Sequence, residues 1–152
     1  MSVATRLAEL GIELPAVAAP VAAYVPAVVH GGLVYTSGQL PFVDGSLPAV
    51  GKVGSDVSAE DAKTYARTCA LNALAAAADA AGGLDRIAGV LRVGGFVASA
   101  EGFTGQPGVI NGASEVLGEV FGDSGRHARA AVGVAELPLG SPVEVEVTFL
   151  LA

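Results

Sequence analysis

Tryptophan is absent from this chain. Cysteine, methionine and lysine are nearly so: Cys69, Met1, Lys52 and Lys63 are all there is of them. One cysteine rules out an internal disulfide and any multi-cysteine metal site. Eight Lys and Arg against fifteen Asp and Glu leave a net charge of −7. The few cations form no cluster of the kind that binds a phosphate backbone, which argues against a nucleic-acid partner. Long apolar runs are missing as well. The most apolar stretch, residues 71–81, is interrupted by Asn72 and Asp79 and is too short to span a bilayer. Near the start, Arg6, Glu9 and Glu13 break any apolar leader. The expectation is a cytoplasmic protein that does not engage membranes.

What is present is apolar and small. Hydrophobic residues make up 52% of the 152, charged residues only 15%, and the mean hydropathy is +0.59. The length predicts one domain over residues 1–152, enough to bury a core without staples. Without a membrane to hide in, that apolar surplus predicts self-association.

Periodicity and punctuation divide the chain. Residues 5–10 allow a short helix, after which Pro15, Pro20 and Pro26 impose extended backbone. Residues 32–37 read as a strand. The glycine- and proline-rich 42–57 segment reads as a loop with room for one short strand. Ser58-Ala59-Glu60-Asp61 has the form of a helix N-cap, and the following helix stops at Gly82-Gly83. Its Tyr65, Ala66, Cys69, Ala73, Ala76, Ala77 and Ala80 recur at helical spacing, so small a stripe that close approach to a sheet is predicted. Residues 87–99 form a strand and 107–121 a second helix. Two closing strands follow at about 127–135 and 143–151, with the Leu-Pro-Leu-Gly-Ser-Pro turn between them suggesting a hairpin. This is an α+β order, with helices on one face of a shared sheet.

The residues that could carry chemistry lie near the end. Alternation puts His127, Arg129, Ala131 and Gly133 on one face, and Glu144, Glu146 and Thr148 together on one face of the last strand. Both sets are expected away from the helices. A cation in an Ala/Val strand needs an anion. Two readings stay open for Arg129: an ion pair with Glu144 or Glu146 across the hairpin, or a clamp for a small carboxylate ligand. Glu146 is read as structural. His30 and His127 are read as surface or loop residues, Cys69 as a small core residue, Tyr24 as a cover for a sheet edge and Gly38 as a turn glycine.

Tyr24-Val25-Pro26 followed by Val34-Tyr35-Thr36-Ser37-Gly38-Gln39-Leu40-Pro41 resembles the N-terminal signature of the reactive intermediate deaminase family, Rid or YjgF. Asn111 matches that family's Val-Asn position. Ala128-Arg129, Val132 to Pro138 and Val143-Glu144-Val145-Glu146 resemble its C-terminal signature, the most specific of the three. The resemblance covers nearly the whole chain in order. It implies a chorismate-mutase-like fold with a mixed sheet and two helices on one face. It also implies a homotrimer around a central barrel, ligand clefts between subunits, and no cofactor or metal. The implied activity is hydrolysis of reactive 2-imino or enamine acids to 2-keto acids and ammonia. Carried onto this chain, Arg129 would hold the substrate carboxylate and Glu144 would position water. Tyr24, the Gly38 backbone, Asn111 and Ala131 would shape the pocket. Ala131 stands where the deaminases often have cysteine, and the N-terminal extension and long 42–57 segment mark a distinct subgroup. A non-catalytic carboxylate-binding or regulatory trimer is the alternative. A ribonuclease, a label often given to this family, sits poorly with the −7 charge.

Overall fold

The computed structural model describes residues 1–17 and 23–152; the expected proline break at Pro20 lies outside the described residues. In chain order the elements are α1 (Val3–Glu9), β1 (Ala27–His30), β2 (Leu33–Thr36), α2 (Ala59–Ala81), β3 (Ile87–Ala98), α3 (Gln106–Phe121), β4 (Ala128–Val134) and β5 (Val143–Leu151). The strands form one five-stranded mixed sheet in the order β1-β2-β5-β3-β4. Only β3 and β4 run parallel. The fold is α+β, with the short α1 as a third helix beside the two long ones.

The long helices follow their sequence signals. Ser58 caps α2 by accepting from the Asp61 N–H at 3.0 Å, Glu60 and Asp61 sit in its first turn, and Gly82 ends it. Ala66, Cys69, Ala73, Ala76 and Ala77 are buried while Ala80 is exposed, so the alanine stripe faces inward for all but its last turn. Ile110, Ala113, Leu117 and Val120 of α3 are buried, and a methyl at Gly112 would collide with the Lys63 carbonyl of α2. The two helices therefore pack at close range. They cover the sheet face that presents Val34, Val93, Val97, Val143, Val145, Val147 and Phe149.

Two expectations about strands change. The additional short strand is not in 42–57, which makes only isolated bridges at Val43–Ser46, Val53–Val57 and Val53–Ser99. It is β1, which forms a tight hairpin with β2. The Gly31-Gly32 turn has φ of 58° and 79°, and two successive positive values suit the twist of a two-residue hairpin.

The larger change is at the other end. β4 and β5 are not a hairpin, because β3 lies between them and pairs with both. Past the paired region, the Ser99 N–H donates to Val134 O and the Ala98 N–H to Pro142 O, one to each flanking chain. The 135–142 connection is long enough to cross two strand spacings of about 4.8 Å each. The long β3 thereby satisfies both its edges, which a direct β4–β5 pair would leave half open.

Candidate functional site

This topology decides where Arg129 points. Its partner across the parallel pair is Val93, a fully buried residue of the helix-covered face. The Arg129 side chain follows and meets α3. Its Nη1 donates to Asn111 Oδ1 at 2.8 Å and to Ser114 Oγ at 3.2 Å, and its Nη2 donates to Pro107 O at 3.4 Å. The expectation that Arg129 shares a face with the glutamates is thus corrected. Glu144 and Glu146 stand opposite Phe96 and Gly94 of β3 and project from the other, open face. Neither makes an ion pair with Arg129.

The arginine edge is held together by side chains of one chain. Arg129 is half-buried, yet every hydrogen-bond acceptor on it is neutral: an amide oxygen, a hydroxyl and a backbone carbonyl. Five of the eight cations, Arg6, Lys52, Lys63, Arg67 and Arg126, pair with carboxylates; Arg129 does not. A guanidinium has five N–H donors, so two of them find no acceptor among the described residues. Ala131 lies two residues on, half-buried and packed against the core, on the same face as Arg129.

Sequence reasoning missed two members of this edge. The Ser114 Oγ lies 2.9 Å from His127 Nε2, and His127 Nδ1 lies 2.6 Å from Gly125 O. His127 is half-buried and bonded rather than a free surface residue. Its two-residue offset from Arg129 already places both side chains on one face, but only the position of α3 and of the Gly125 turn shows that the imidazole is bonded there. Ser114 could be found only once α3 was known to lie along that face.

The second group is on the open face. A methyl on Gly38 would collide with the Glu144 carboxylate, so the glycine backbone lies directly over that side chain. The neighbouring Gln39 exchanges both backbone hydrogen bonds with Val145, which fixes the approach. Burial first, and then the charge of Glu146, push the Glu144 carboxyl above the ordinary glutamate range. Tyr24 is exposed, but its segment is tied beside Gly38: Ser37 Oγ donates to Val25 O at 2.6 Å and the Ser37 N–H to Pro26 O at 2.8 Å. The open face also exposes Val28, Tyr35 and Val132.

The six expected site residues therefore fall into two groups within one chain. Arg129, Asn111 and Ala131 are together at the β4–α3 edge. Glu144, Gly38 and the Tyr24 segment are together on the other face. Two concavities elsewhere, one at Met1, Asp85 and Phe121 and one at Leu14, Ala75 and Asp79, touch neither group. Cys69 is buried, and its thiol is pushed well up by burial and then by the charge of Glu144, which makes it a core residue and not a nucleophile. Among the described residues no three His, Cys, Asp or Glu side chains gather in a way that could hold a metal ion.

Residues 4–151 match the family described as "YjgF/chorismate mutase-like, putative endoribonuclease". The chain belongs to this family. It is 45% identical over 145 residues to Protein TCP17 of Trypanosoma cruzi, covering 95% of this chain and 91% of that protein. Among solved structures, a protein of unknown function from Agrobacterium tumefaciens is 44% identical, with a TM-score of 0.90 over 99% of this chain and 92% of the other. A protein from Shewanella oneidensis described as "a putative endoribonuclease" is 34% identical, with a TM-score of 0.94 over 99% of this chain and 100% of the other. The YjgF match agrees with the resemblance read from the two terminal signatures. No helix among the described residues is long and apolar enough to cross a membrane.

Proposed function

We propose that this protein hydrolyses small 2-imino acids to 2-keto acids and ammonia, in clefts formed between copies of the chain in a homotrimer. The observation that carries the reading is Arg129: a half-buried guanidinium that, among the described residues, is held only by neutral acceptors, with two N–H donors to spare. A carboxylate would complete it with two charge-assisted hydrogen bonds.

The open face supports the assembly. Val28, Tyr35 and Val132 are exposed on it, and the two carboxylates there lack cations. A neighbouring copy would cover the apolar residues and bring its Arg129 edge to the Glu144 group. Each cleft would then take Arg129, Asn111 and Ala131 from one copy, and Glu144, Gly38 and Tyr24 from the next.

In such a cleft the substrate carboxylate sits on Arg129 and the iminium carbon faces Glu144. The Glu144 carboxylate takes a proton from water as the oxygen adds to that carbon, and the C=N bond becomes single. That proton then passes from Glu144 to nitrogen; as the C–N bond breaks and the carbonyl forms, Glu144 takes the hydroxyl proton and hands it to the departing ammonia. One iminium acid and one water give one keto acid and one ammonium ion. The protonated imine is already electrophilic, so positioning and one general base suffice. No metal or cofactor enters the proposal. A cytoplasmic location goes with it.

The test is keto-acid release from freshly generated 2-iminobutanoate or 2-iminopropanoate. Release above the buffer rate that disappears in Arg129→Ala is the expected result. Release at the buffer rate in both proteins overturns the reading as an enzyme. Saturable binding of 2-ketobutanoate by wild type, lost in Arg129→Ala and without turnover, would leave a carboxylate-binding module instead.

A further inference from the structure

Behind Arg129 lies a chain of hydrogen bonds whose direction can be worked out. Gly125 ends the 3-10 turn Gly122–Gly125 that links α3 to β4, and it is buried against the Leu117 carbonyl of α3. Its own carbonyl is thus a fixed acceptor. An acceptor at 2.6 Å requires that His127 Nδ1 carry the proton. In the neutral ring Nε2 is then the acceptor, so the Ser114 hydroxyl donates to it across 2.9 Å. With its proton committed, Ser114 Oγ turns a lone pair to Arg129 Nη1 at 3.2 Å. Asn111, three residues earlier on the same helix face, takes the other Nη1 proton.

We infer that Ser114 and His127 are positioning residues for the Arg129 clamp. The backbone carbonyl of Gly125 sets the His127 tautomer, His127 sets the rotor of Ser114, and Ser114 with Asn111 locks the plane of the guanidinium. The consequence is that Arg129 presents its spare donors in one orientation before any carboxylate arrives. This inference rests on the reading of Arg129 as a carboxylate site. A merely structural alternative is that Ser114 and His127 only staple the start of β4 to α3.

Amide substitutions at His127 separate the two. A glutamine amide extends about as far as Nε2 and offers an oxygen to Ser114. An asparagine amide extends about as far as Nδ1 and can serve only Gly125. Positioning predicts that His127→Gln keeps the clamp and His127→Asn loses it, whereas a staple to the Gly125 turn predicts the reverse. Ser114→Ala should behave like His127→Asn.

The first readout needs no ligand. In ¹H–¹⁵N spectra of the free protein, the Arg129 side-chain resonance, assigned by its loss in Arg129→Ala, is expected apart from the bulk arginine signal. It should stay there in His127→Gln and move to the bulk position in His127→Asn and Ser114→Ala. Unchanged Arg129 resonances in both of the latter overturn the inference, whatever the protein binds. The second readout is kinetic. KM for 2-iminobutanoate and Kd for 2-ketobutanoate should rise roughly tenfold in His127→Asn and Ser114→Ala, on the order of one lost hydrogen bond to a charged group. In His127→Gln they should change by less than about threefold, with kcat nearly constant throughout. Resonances that move as expected in a wild-type protein that neither binds nor hydrolyses would keep the relay and remove the carboxylate reading.

Discussion

The β4–α3 edge and the open face around β5 hold opposite charges in opposite ways. At the edge, one cation is held by three neutral acceptors and backed by a second tier of bonded side chains. On the open face, two carboxylates two residues apart repel each other, and a glycine backbone is laid over one of them. The edge is bonded together inside one chain. The face is unfinished, with apolar residues exposed and a carboxyl already leaning toward its neutral form. In the proposed reaction, preorganisation belongs to the first region and the general base to the second. A reaction that needs both must bring them together from different copies.

Subunit mixing is the sharpest way to break that comparison. Arg129→Ala and Glu144→Gln chains should each be nearly inactive alone. Co-expressed and randomly mixed, they should regain about one quarter of wild-type activity, because half the copies offer the arginine and half their neighbours the glutamate. No recovery would mean that both residues serve a site within one copy. Taken singly, Glu144→Gln should lower kcat roughly 10²–10⁴-fold, the range of a positioned general base, and leave 2-ketobutanoate binding intact. Arg129→Ala should weaken that binding roughly 10²–10³-fold in a calorimetric titration, the worth of two charge-assisted bonds. Gly38→Ala, which drives a methyl against Glu144 without touching Arg129, should cost roughly 10–100-fold in kcat and little in affinity. A Gly38→Ala protein that lost affinity as strongly as Arg129→Ala would erase the division between the regions.

The smallest effect is on stability. Because Glu144 is more acidic in the unfolded chain than in the folded one, the unfolded chain loses this proton first as pH rises. Stability therefore falls from about pH 4 upward until the folded group has also ionised, and stays lower beyond that. Glu144→Gln should melt at a higher Tm than wild type at neutral pH, and the difference should vanish below about pH 4. The same profile should appear in kcat with the opposite slope: the wild-type rate rises as the carboxylate forms, and the variant shows no such limb.

Much of the fold was legible because local signals agreed. Ser58 and Gly82 mark both ends of α2, and α3 and β5 start and stop within a residue or so of their punctuation. β1 was hidden by its four-residue length and by the prolines before it. The hairpin at 135–142 was misread because a turn sequence shows that a chain reverses, not which strand it returns to. A strand inserted from 40 residues earlier leaves no local trace. The candidate site was legible in the same uneven way. Arg129 was conspicuous because it is a rare cation in an apolar strand, while Ser114 and His127 are ordinary polar residues whose meaning is their distance from it.

By itself the sequence determined the helices, most strands, the family and which residues stand out. Spacing, capping and charge act over a few residues, and the chain records them directly. Only the tertiary structure decided that Arg129 and Glu144 face away from each other. Strand parity gives the two sides of a strand but not which side meets the helices. Here the insertion of β3 between β4 and β5, with α3 against the edge, made that choice.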